Sequence, residues 1–103
     1  MKYDKAIRDK IPEIIKESGS TCNIKTLSDK EFLEKMEKKL DEEVAEYHQS
    51  KSVEEIADIM EVLERIAELR GTSVKELMRI KEKKAQKRGK FEKNLFLIDS
   101  EEN

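Results

Sequence analysis

Glu43 and Glu46 stand three residues apart in the stretch Leu40-Asp41-Glu42-Glu43-Val44-Ala45-Glu46, and Glu55 and Asp58 repeat that spacing in Glu54-Glu55-Ile56-Ala57-Asp58. On an α-helix three residues turn through about 300°, so each pair shares one face about a turn apart. If the two helices pack antiparallel, the four carboxylates meet across the gap between them. The donors are then all oxygen, with more negative charge than packing alone calls for. Oxygen-only sites suit hard cations, and Mg²⁺ ordinarily keeps several waters and shares its shell with substrate phosphates. Mg²⁺ is therefore the expected cofactor, with Mn²⁺ as its substitute.

Because 45% of the residues are charged, any single acidic pair is open to a plainer reading as a solvated helix face, and position on the helical wheel carries more weight. In the second helix Ile56, Ile59, Leu63, Ile66, Ala67 and Arg70 form one stripe, which Val62 and Leu69 widen on one side. Glu55 falls between Ile66 and Leu69 with Asp58 just beyond, while Glu61, Glu64, Arg65 and Glu68 take the opposite face. In the first helix the stripe is Leu33, Met36, Leu40, Val44 and Tyr47; Glu43 lies at its edge, Glu46 one step further and Glu42 nearly opposite. A carboxylate facing a core must be paired, protonated or metal-bound. Spacing alone leaves a metal site and salt-bridged bundle acids equally open.

Glu42-Glu43-x-x-Glu46 followed by Glu55-x-x-Asp58 resembles the EExxE…ExxD signature of the MazG-like, all-α nucleotide pyrophosphohydrolases, a superfamily that includes phosphoribosyl-ATP pyrophosphohydrolase and dimeric dUTPases. Lys5-Ala6-Ile7-Arg8-Asp9-Lys10-Ile11-Pro12 is similar to the "VRDKIP" opening of a small subgroup. Lys87-Arg88-Gly89-Lys90-Phe91-Glu92-Lys93 resembles its closing "RGGF" segment, with Lys90 where the subgroup often has a second glycine. The resemblance spans nearly the whole chain. It implies Mg²⁺-dependent cleavage of a nucleotide between its α and β phosphates, with phosphoribosyl-ATP or a nucleoside triphosphate as substrate and the monophosphate and pyrophosphate as products. Glu43, Glu46, Glu55 and Asp58 would hold the metal, and Glu42 or Glu43 would handle the attacking water.

The elements that must position these groups are legible from their ends. Tyr3, Ile7, Ile11, Ile14 and Ile15 follow a helical period, but Pro12 sets the start of the regular first helix at Asp9 or Lys10, with Gly19 as its stop. Ser28-x-x-Glu31, Ser52-x-x-Glu55 and Ser73-x-x-Glu76 read as three capping boxes, opening helices that run to about Ser50, Arg70 and Arg88. Glu55 is thereby asked both to cap and to bind metal. The fold class expected is all-α, a compact helical bundle with short connections. Residues 22–27 and 92–98 add a short β pairing to that expectation, the apolar tail Phe91, Leu95, Phe96, Leu97 and Ile98 packing back on the bundle. Residues 1–99 form one domain, with 100–103 a frayed tail.

A chain of 103 residues, 36% hydrophobic and 5% aromatic, buries only a modest core. Val62, Leu69 and Phe32 flank the main stripes, and a homodimer or higher homo-oligomer is expected to cover them, as the resemblance also implies. The net charge of −2 offers no general attraction to a nucleic acid polymer or a membrane, and no apolar run reaches spanning length. The single cysteine, Cys22, excludes an internal disulfide, and with no signal-type segment after Met1 the expected location is the cytoplasm.

Phosphate recognition must then be local. Lys84, Lys87 and Arg88 share one side of the last helix, where cations also suit the helix dipole; Lys84 and Arg88 are the candidate contacts, arginine offering a planar fork. Arg8 and Lys10 are further candidates, although Asp9 beside them offers an ordinary partner. The alternative from another class is a non-catalytic dimeric scaffold or regulator that keeps the acids as surface charge.

Overall fold

The computed structural model describes residues 4–102, so Tyr3 and Asn103 lie outside the described residues. Four helices follow in order: α1 Ile11–Glu17, α2 Asp29–Ser50, α3 Val53–Leu69 and α4 Val74–Arg88. Their ends are where the capping chemistry puts them. Pro12 sits in the first turn of α1, and Gly19, Gly71 and Gly89 follow α1, α3 and α4 at φ +88°, +93° and +83°. The hydroxyls of Ser28, Ser52 and Ser73 each accept the backbone N–H three residues on.

Lys51 and Ser52 alone separate α2 from α3, Lys51 turning the chain in the left-handed region at φ 56°, ψ 24°. So short a link forces an antiparallel hairpin. The pairing bears this out: near the turn Glu43 meets Glu55 and Asp58, and at the far end Arg70 Nη2 lies 3.1 Å from Glu37 Oε1 and Arg65 Nη2 4.0 Å from Asp29 Oδ1. Met36 of α2, Val62 of α3 and Ala6 of the N-terminal segment are the buried core, flanked by Phe32, Leu40, Ile66 and Leu69. The α4 helix packs on α3, and neither α1 nor α4 contributes a buried residue.

The helices meet on a different arc from the stripes' centres. On α3 Val62 is buried and Leu69 half-buried, whereas Ile56, Met60 and Leu63 are 43%, 50% and 43% exposed. Counting 100° per residue from Glu55, Val62, Ile66 and Leu69 lie within 40° of it, and Leu63, Ile56 and Met60 lie 80° to 140° away. Val62, Leu69 and Phe32, expected to need a partner subunit, are thus covered within the chain; the uncovered residues are the stripe's other half. An apolar arc this wide does not by itself say which part faces the neighbour. Glu55 consequently lies in the middle of the packed arc.

The β pairing does not form. Neither residues 22–27 nor 92–98 adopt a strand, and Phe91, Leu95, Phe96, Leu97 and Ile98 are 80–97% exposed, off the bundle. An isolated two-stranded ribbon is marginal in water, the run Leu95–Ile98 lacks alternation, and Asn94 at φ 55° breaks an extended path. With that tail the molecule measures 65 × 32 × 21 Å.

Candidate metal centre

Glu43 of α2 is 7% exposed and lines the same cleft as Val62 of α3. Across the hairpin, Glu55 and Asp58 each bring a carboxylate oxygen so that the three atoms lie within 4.8 Å of one another. Oε2 of Glu43 and Oε2 of Glu55 are buried without a hydrogen-bond partner. An acid cluster alone says little, but buried oxygens without donors are costly unless protonated or answered by a cation. Both carboxyls are in fact pushed up from the ordinary value of 4.5: Glu43 by burial first and then by its contact with Glu46, Glu55 by burial first and then by the charges of Glu46 and Asp58. Lys39 works against the rise at Glu43.

Three of the four expected ligands therefore share one point in space, and Glu46 stands beside them as an exposed neighbour that perturbs two of the three. The donor set fits a hard divalent ion: three carboxylates, two of them with unsatisfied inner oxygens and an open side for waters or phosphate. The conflict over Glu55 is resolved by its neighbours. Ser52 Oγ accepts the Glu55 N–H at 3.3 Å, but the Ser52 N–H donates to Ser50 Oγ at 3.3 Å, leaving the Glu55 carboxyl out of the cap. By contrast Glu31 completes the box at Ser28, which holds its carboxyl below the usual range. Glu76 instead takes two hydrogen bonds from Arg79, of 3.0 and 2.9 Å.

Glu42 points outward, its Oε2 3.7 Å from Lys39 Nζ. The same ammonium lies 3.6 Å from Glu43 Oε1, one helical turn away. Lys39 was not singled out in the sequence, although its i,i+4 spacing to Glu43 was there to be read. A cleft of about 780 Å³ opens beside the triad and is lined by Arg8, Lys10, Lys39, Glu43, Asp58 and Glu61 among others. Arg8 does not pair with Asp9: its Nη2 donates to Asp58 Oδ1 at 2.7 Å, and Nη1 lies 3.9 Å from Glu61 Oε1. Lys84 and Arg88 are exposed and do not line this cleft; Arg88 lines a second hollow with the tail residues 89–96.

No family model and no solved structure matches the chain. An uncharacterized protein from Mycolicibacterium smegmatis is 58% identical over 40 residues, 39% of this chain and 41% of that protein, so the match spans well under half of either. Among the described residues no helix is long and apolar enough to cross a membrane.

Proposed function

We propose that the chain is a Mg²⁺-dependent nucleotide pyrophosphohydrolase that cleaves the α–β phosphoanhydride of a nucleoside triphosphate or phosphoribosyl-ATP, releasing the monophosphate and pyrophosphate. The observation that carries this reading is the pair of buried oxygens, Oε2 of Glu43 and Oε2 of Glu55, that no N–H or hydroxyl of the described residues answers, with Asp58 within 4.8 Å. The likeness of the acidic, N-terminal and C-terminal motifs to the MazG-like superfamily supplies the substrate class.

Glu43, Glu55 and Asp58 would hold the metal, with the neighbouring Glu46 as the further ligand that the sequence motif implies. A divalent ion there supplies positive charge for phosphate oxygens and lowers the pKa of an attacking water. Glu42, exposed on α2 and sharing Lys39 with Glu43, is the group that would orient that water and take its proton, with Glu43 committed to the ion. Arg8 and Lys10, on the cleft wall, neutralise phosphate charge as the anhydride breaks. Lys84 and Arg88 are assigned the same task from the second copy of a homodimer, whose interface is the bare face of α3 at Ile56, Met60 and Leu63.

The test is a product screen over a nucleotide panel, with pyrophosphate as the readout. Asp58→Asn and Glu43→Gln should each lower Mg²⁺-dependent turnover by about 100-fold or more while the helical circular dichroism is retained. Turnover at the wild-type rate in both would remove the assignment. The rival reading, a non-catalytic scaffold, draws on the ion pairs Arg8–Asp58 and Lys39–Glu43, and it leaves the two inner oxygens unexplained.

A further inference from the structure

Residues 4–10 form no helix or strand, yet Ala6 and Arg8 tie the segment to the hairpin. Ala6 is 8% exposed and packs with Met36 and Val62. Two residues on, Arg8 spans 50 positions of sequence to hydrogen-bond Asp58 Oδ1 at 2.7 Å. With side chains 59% and 41% exposed, that ion pair contributes little to stability. Its partner, however, is one of the three clustered carboxylates.

Resting on the metal-site reading above, we propose that Arg8 is a resident monocation that occupies Asp58 until a divalent ion arrives, and that the freed guanidinium then takes up a phosphate of the nucleotide. The inner oxygens show why the exchange has a direction. Arg8 answers only the outer acids, Asp58 and Glu61, whereas Oε2 of Glu43 and Oε2 of Glu55 go unanswered. A small dication seated among the three serves all of them at once. It also repels a guanidinium held on the same carboxylate. Asp58 is fixed on α3, while Arg8 hangs from an irregular segment, so the arginine is the group that moves. Lys39 stays: it is built into α2 one turn from Glu43 and keeps Glu42 and Glu43 as partners. The Ala6 anchor limits how far Arg8 travels, leaving its fork beside Lys10 on the cleft wall, a geometry suited to phosphate oxygens. Metal binding would thereby create the anion site that nucleotide binding needs.

The experiment is calorimetric titration of the full chain with Mn²⁺ alone, on wild type, Arg8→Ala and Arg8→Lys, joined to amide exchange of residues 4–10 and to titration of a non-hydrolysable triphosphate in the presence of Mn²⁺. Arg8→Ala should bind Mn²⁺ about three- to tenfold more tightly, since a competing charge is gone. It should also bind the triphosphate more weakly, and Arg8→Lys should keep the wild-type Mn²⁺ affinity. Exchange of residues 4–10 should quicken on adding Mn²⁺ to wild type and be quick from the outset in Arg8→Ala. Mn²⁺ affinity that is unchanged or lower in Arg8→Ala, or exchange that ignores the ion, overturns the exchange mechanism and leaves the metal site standing. Absence of Mn²⁺ binding in all three proteins overturns both.

Discussion

Glu43 is a carboxyl that is 7% exposed and unpaired at Oε2, and burial pushes its pKa above the ordinary value. The sign of the resulting pH dependence is unusual for a carboxylate. A folded-state pKa above the unfolded one means that the folded chain binds more protons, so the contribution is full below the ordinary value of 4.5 and is lost as pH rises through the raised value. Glu55 adds in the same direction. Apo stability should therefore fall on raising pH from about 4.5 towards neutrality, and Glu43→Gln should flatten that slope and raise Tm at pH 7. A wild-type Tm that climbs steadily over the same range in a metal-free buffer would contradict the raised values. The acids themselves were legible from their spacing at 43, 46, 55 and 58; that Arg8 pairs with Asp58 was not, because a contact over 50 residues leaves no local pattern.

At the scale of elements, the serine caps carry more of the site than their surface position suggests. Ser52 starts α3 three residues before Glu55, and the Ser50 hydroxyl takes the Ser52 N–H that a full capping box would give to Glu55. Ser52→Ala should cost about 1 kcal/mol of stability, as for other caps, and should weaken Mn²⁺ binding because the first turn carries Glu55. Ser73→Ala should cost a similar amount and leave Mn²⁺ affinity alone, since α4 supplies no triad residue. Equal metal affinity in all three proteins, read by calorimetry, would show that the cap does not position the site. Helix ends were readable because caps and glycines are local signals. The rotation of α2 against α3 was not, since apolar residues spread from Leu69 round to Met60 and tertiary packing chose which part of that arc to cover.

For the whole molecule, the same choice leaves Ile56, Met60 and Leu63 in water, and the tail from Phe91 to Ile98 touches none of them enough to hide. Removing residues 91–103 should therefore change the unfolding free energy by less than about 0.5 kcal/mol, the range for exposed positions, and a larger loss that grows with protein concentration would mean that the tail packs on a second copy. Sedimentation equilibrium at micromolar protein should give twice the 12.1 kDa chain mass, and Leu63→Lys should return it to one. Above these stands the claim that the hairpin is built around a cation. Thermal unfolding in chelator and then in Mn²⁺ tests it most directly. For wild type, an ion at roughly 100 times its Kd should add about 2.7 kcal/mol, a rise in Tm of about 10 °C or more for a domain of this size, and Glu43→Gln should lose most of that rise. The same Tm with and without Mn²⁺ in wild type, at millimolar ion and neutral pH, would contradict the account.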